Sequence, residues 1–198
     1  MSEQLWLQLS EHADDNKLLA DTLRQLIDLK LEAFPPCARR VIFDLLSERH
    51  EPYIWLHTCA LLCQLYNVSP SERHELARYG VLSYLAKVLK ESVSAMALVT
   101  TSSEDQYRTL VQVILSMMLR FAHASDLCVL KILQHNVLDA VLLPLSTTSG
   151  MYAPGIAETN KQLIETALAV LDCITSHSVF NTLSQYGSYT NALYILFH

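Results

Sequence analysis

The sequence predicts an all-α chain arranged as a helical solenoid, and three observations carry that expectation. Apolar residues make up 51% of the 198 positions and charged residues only 17%, so a generous core is expected. Only four glycines and six prolines are present, too few for the many tight turns of a β-sandwich or a doubly wound sheet. The stretch Glu51–Glu91 reads as a long apolar helix, a polar break at Ser69–Pro70, a short helix, a glycine and a third helix. That phrase returns at Glu104–Leu145 and again from Thr159.

Taken in order, residues 3–13 form a short amphipathic helix with Leu5, Trp6 and Leu9 on one side. Asp14, Asp15 and Asn16 supply capping side chains for a helix Lys17–Leu31, whose buried stripe is Leu18, Leu19, Leu23, Leu26, Ile27 and Leu31. Pro35-Pro36 ends it and opens a helix Pro36–Glu48, with Val41, Ile42, Leu45 and Leu46 inward. Glu51–Val68 is the long helix. Ser69 caps the next one, Pro70 takes its first position, and Gly80 closes it in left-handed geometry. Val81–Lys90 follows, then a linker of small and hydroxyl residues at 92–103.

In the second copy the helices are Glu104–Ala122, Asp126–His135 and Val137–Leu145, with Asn136 standing where Gly80 stood. A second loop at 146–158 precedes Thr159–Ser176, Val179–Tyr186, Gly187 and a last helix Ser188–Phe197. Asn67, Arg120 and Cys173 occupy matching slots in the three long helices, 53 residues apart each time. The whole of 1–198 is therefore expected to be one domain. Capping helices at 3–31 precede units at about 33–68, 70–122, 124–176 and an incomplete 178–198.

The net charge of −6 argues against a surface that coats nucleic acid, since phosphate binding needs concentrated Lys and Arg. The longest apolar run, Leu110–Ala122, is broken by Gln112 and Arg120 and is shorter than the roughly 20 residues that span a bilayer. The start carries no basic leader, and the five cysteines lack a disulfide-framework spacing. An intracellular protein, cytoplasmic or nuclear and without a membrane segment, is expected. No HExxH, GxSxG, glycine-rich phosphate loop or EF-hand pattern occurs, so no catalytic residue, cofactor or metal is assigned.

Tyr79-Gly-Val-Leu-Ser-Tyr-Leu-Ala-Lys-Val-Leu resembles the second helix of an armadillo repeat, and Gln64-Leu-Tyr-Asn-Val resembles the end of its third helix. His135-Asn-Val-Leu-Asp-Ala-Val-Leu-Leu-Pro-Leu and Tyr186-Gly-Ser-Tyr-Thr-Asn-Ala-Leu match the second helix more loosely. The resemblance spans residues 16–198 and is strongest at 51–91. It implies an armadillo-like right-handed superhelix of about three to four repeats. The family's tryptophan–asparagine ladder for basic peptides is missing, which argues against a nuclear-import receptor. A narrower resemblance is to the armadillo subunit of the cytoplasmic mRNA deadenylase complex, through few repeats, long loops and an apolar last segment beginning Val179-Phe-Asn-Thr-Leu. No functional residue is carried across from it.

The expected role is a non-enzymatic scaffold or adaptor that binds a partner helix or extended peptide, as a subunit of a larger complex. The face lining the concave groove in armadillo proteins holds the candidate contacts Tyr53, His57, Gln64, Asn67, Gln112, Ser116 and Arg120. Asn67 is suited to clamp a backbone amide, and Arg120 to pair with a carboxylate, a phosphate or an internal partner such as Asp172. The C-terminal segment is nearly uncharged, so Tyr186, Tyr189, Tyr194 and Phe197 are candidates for a second interface, to another subunit or tail to tail in a homodimer. Cys59 and Cys63, with His57 nearby, are one turn apart, yet two thiols on one helix without a second cluster read better as buried small hydrophobes than as zinc ligands. The alternative role is an RNA-regulatory subunit touching nucleic acid through Arg39, Arg40, Arg73 and Arg78, and an enzyme with a site built from the two long loops is a third class.

Overall fold

The computed structural model describes residues 2–11, 15–31, 33–96, 102–148 and 157–180, with no strand among them. Its helices are α1 (Ser2–Glu11), α2 (Asn16–Asp28), α3 (Ala38–Ser47), α4 (Pro52–Val68), α5 (Pro70–Arg78), α6 (Val81–Met96), α7 (Ser102–Ala122), α8 (Asp126–Ile132), α9 (His135–Thr148) and α10 (Ala157–Thr175). The all-α expectation holds.

Helix starts follow the capping chemistry. Asp15 Oδ1 accepts from the backbone N–H groups of Lys17 and Leu18 at 3.0 and 3.1 Å, and Ser69 Oγ from that of Glu72 at 3.0 Å. Each bond satisfies donors that an α-helix leaves unpaired in its first turn. Asn16 lies inside α2 rather than in its cap. Gly80 has φ of +90° between α5 and α6, the left-handed closure expected of it.

Four expectations are corrected. First, α2 stops at Asp28, because Lys30 turns the chain with φ of +43° well before the prolines, and Leu18 is 41% exposed rather than part of the stripe. Second, α6 runs to Met96 through residues assigned to a linker. Ser92 Oγ donates to the Val88 carbonyl at 2.7 Å and Ser94 Oγ to that of Lys90 at 2.8 Å, so their hydroxyls are satisfied by their own helix. Third, Asn136 is in the first turn of α9, not a left-handed residue. The α8–α9 turn is made at Leu133 and Gln134, and the Gln134 carbonyl accepts from Val137 and Leu138. Fourth, α9 continues through Pro144 to Thr148, and both α7 and α10 begin two residues earlier than expected. What remains of the two linkers, at 97–101 and 149–156, lies outside the described residues.

Packing repeats along the chain. Helices α2, α4, α7 and α10 touch in that order, as do α3, α6 and α9, and each of the latter packs on α4, α7 or α10 respectively. The short α5 and α8 also meet. One continuous apolar core runs from Trp6 in α1 to Ile174 in α10. Phe121 lies edge-on to Tyr66 at 4.8 Å, Phe43 stacks on Tyr84 at 5.1 Å, and Trp6 meets Phe34 at 5.9 Å. No single described helix is long and apolar enough to cross a membrane.

Candidate functional site

An α-helix leaves the carbonyls of its last turn without intrahelical donors. Here several of them are met by side chains from another helix. Gln64 Nε2 on α4 donates to the Ile27 carbonyl at the end of α2 at 2.9 Å, and the Tyr66 hydroxyl donates to the Arg120 carbonyl at the end of α7 at 2.8 Å. Arg73 Nε on α5 donates to the Tyr66 carbonyl at 3.1 Å, and Lys87 Nζ on α6 reaches the Ser47 carbonyl at the end of α3. These bonds lock the C-terminal ends of α2, α4 and α7 into one edge.

Asn67 and Arg120 meet on that edge. Arg120 Nη2 donates to Asn67 Oδ1 at 2.6 Å, Nη1 donates to Cys63 Sγ, and the guanidinium lies 4.7 Å over the Tyr66 ring. Asp172 is not its partner. The cation therefore serves the contact between α4 and α7, while the amide nitrogen of the exposed Asn67 has no acceptor among the described residues. Burial pushes the Tyr66 phenol up, against the pull of the Arg73 and Arg120 charges beside it, so it stays protonated and able to donate.

Gln64 and Asn67 also line a surface pocket of about 380 Å³, together with Lys30, Leu31 and Val68. Gln64 Oε1 is buried there without a donor, while its Nε2 is spent on Ile27. The pocket is thus lined by Gln64, whose buried Oε1 lacks a donor, and by Asn67, whose amide N–H groups lack a protein acceptor among the described residues. Lys30 and Leu31 were not among the sequence candidates. The signal that would have found them is the end of α2, one structural neighbour away from α4.

Of the other candidates, His57 and Ser116 bond within their own helices and Gln112 bonds across to α10. His57 Nδ1 bonds the Tyr53 carbonyl at 2.6 Å, and because a carbonyl only accepts, Nδ1 carries the proton. Ser116 Oγ donates to the Gln112 carbonyl at 2.8 Å, and Gln112 Nε2 donates to Thr166 Oγ1 on α10 at 2.8 Å, leaving Gln112 Oε1 buried without a donor. Tyr186, Tyr189, Tyr194 and Phe197 lie outside the described residues, so the C-terminal face is not described.

Burial pushes the Cys59 thiol up to about 12, so it stays protonated at neutral pH. Among the described residues no group of three or more His, Cys, Asp or Glu side chains is placed to hold a metal ion. The arginines named for nucleic acid are engaged. Arg39 pairs with Glu72 at 2.8 Å, Arg40 with Asp44 at 3.7 Å and Arg78 with Glu75 at 3.7 Å, while Arg73 lies 4.9 Å over the Tyr66 ring.

Compared with models of known protein families, with curated proteins and with solved structures, the chain matches none.

Proposed function

We propose that the chain is a non-enzymatic adaptor with an armadillo-like, right-handed superhelical stack, which binds an extended peptide of a partner protein at the end of α4. The repeated order of helix neighbours supports the stacked arrangement. The observation that carries the binding reading is that Gln64, with an unsatisfied acceptor, and Asn67, with an unsatisfied donor, line one pocket. An unpaired acceptor beside an unpaired donor matches the N–H and C=O of a peptide backbone, and a buried acceptor without a donor costs free energy until one arrives.

The reading is tested with peptides selected from a displayed random library, measured against the protein and against Asn67→Asp. That substitution keeps an oxygen that accepts from Arg120, now as an ion pair, and replaces the amide donor with an acceptor, so the fold is retained and affinity is expected to fall about tenfold. Gln64→Glu keeps an acceptor and removes the donor to Ile27, so it should lose stability with less effect on the peptide. Failure to select any peptide, or equal binding by Asn67→Asp, overturns the reading.

A further inference from the structure

At the opposite end of α4 lies a second cavity, of about 490 Å³, walled by Trp55, by His50 just before α4, by Lys90 and Glu91 on α6, by Tyr107 on α7, and by Arg49. Trp55 is 2% exposed, and its indole N–H, which can only donate, has no acceptor among the described residues. His50 Nε2 is likewise buried without a hydrogen bond, Glu48 Oε2 standing 3.6 Å away and beyond reach. Neither Arg49 nor Lys90 has a carboxylate partner among the described residues, while Glu91 is drawn toward Lys87 at 3.9 Å on its own helix.

We propose that this cavity is a binding site for a carboxylate carried on a compact apolar body, held by the Trp55 indole N–H, His50 Nε2 and the Arg49 and Lys90 cations. Two cations without a carboxylate partner, the Trp55 indole N–H and His50 in its Nε2–H tautomer form a donor-rich wall that lacks its acceptor. The volume exceeds the share of one water, about 30 Å³, many times over, and the Trp55 and Tyr107 rings give the ligand an apolar bed. Charge sets the choice among oxyanions. Glu91 on the wall, with Glu48 beside His50 and Glu51 beside Tyr107, limits the negative charge the site can take, so a monoanion is tolerated better than a phosphate dianion. Burial pushes the Tyr107 phenol up, which keeps its hydroxyl a donor at neutral pH. The site lies away from the Gln64–Asn67 pocket and does not depend on the adaptor reading.

The test follows the two indole N–H signals by nuclear magnetic resonance during titration with benzoate, benzamide and phenyl phosphate. The substitution Trp55→Phe assigns which signal is Trp55, the other being Trp6. Benzoate is expected to move the Trp55 signal saturably, benzamide to leave it in place, and phenyl phosphate to bind more weakly. Exposed Arg49→Gln and half-buried Lys90→Gln should each weaken benzoate about tenfold while the remaining spectrum stays folded. Comparing benzoate with N-acetylphenylalanine distinguishes a free acid from the end of a peptide. No shift with either acid, an equal shift with benzamide, tighter phenyl phosphate, or indifference to both substitutions overturns the proposal.

Discussion

Arg120 and Asn67, 53 residues apart and in matching slots of successive long helices, are bonded to each other at 2.6 Å. Residues in matching slots of neighbouring units meet when the units stack side by side, so the periodicity that selected these two as ligand contacts also made them contacts for one another. Arg120→Ala removes that bond, the Cys63 contact and the cation over Tyr66 together. For so exposed a group the expected loss is about 1 kcal/mol, a drop in melting temperature of about 2–4 °C. A double-mutant cycle with Asn67→Ala should return a coupling of about 0.5–1 kcal/mol in urea unfolding. Strict additivity would show that the pair contributes nothing.

Gly80 sits at φ of +90°, and a Cβ built there meets nothing within 4 Å. The cost of Gly80→Ala is thus backbone strain alone, about 1–2 kcal/mol, with no steric part. Gly80→Asn should cost less, because asparagine tolerates positive φ. Equal denaturation midpoints for wild type and Gly80→Ala would mean the α5–α6 turn relaxes to another conformation.

The parts of the fold that were legible are those fixed by local chemistry. Ser69, Pro70 and Gly80 each impose one backbone geometry, and each does what its residue type demands. What escaped is what neighbours decide. The hydroxyls of Ser92 and Ser94 look like a loop, yet each bonds a carbonyl one turn back, and Ser92 is fully buried. The turn before α9 needs no left-handed residue, so Asn136 signalled a closure that the backbone does not make there. The site was half legible for the same reason. Gln64 and Asn67 were named from the repeat, but Lys30 and Leu31 enter the pocket only because α2 ends beside α4. Trp55, Lys90 and Tyr107 come from three helices whose adjacency no local pattern reports.

His50 is buried, and desolvation lowers its pKa below the usual 6.5 in spite of Glu48 nearby. Below 6.5 the unfolded chain therefore binds a proton that the folded chain resists. Stability from this group is fully present above 6.5 and is lost as pH falls through the folded value, with a slope of at most about 1.4 kcal/mol per pH unit. In His50→Gln that slope should flatten between pH 6.5 and the folded pKa. The check is a series of urea midpoints for both proteins, and an unchanged slope would place the titration elsewhere.

Arg39 is the most committed cation of those considered for nucleic acid. Its Nε and Nη2 both donate to Glu72 Oε1, at 3.1 and 2.8 Å, across the α3–α5 contact, and its guanidinium lies 5.1 Å over Tyr79. A phosphate would have to displace a half-buried carboxylate to reach it. Arg73 is tied to the Tyr66 carbonyl, while Arg40 and Arg78 are exposed and paired only within their own helices, each at 3.7 Å. Two exposed arginines, each already beside a carboxylate, give a small counterion-release gain, so labelled single-stranded RNA or duplex DNA should show no saturable binding at about 0.15 M salt. Glu72→Gln should instead report on the fold, costing about 1 kcal/mol through the weakened α3–α5 bridge. Tight binding that weakens steeply with added salt would reverse the assignment and return these arginines to nucleic-acid recognition.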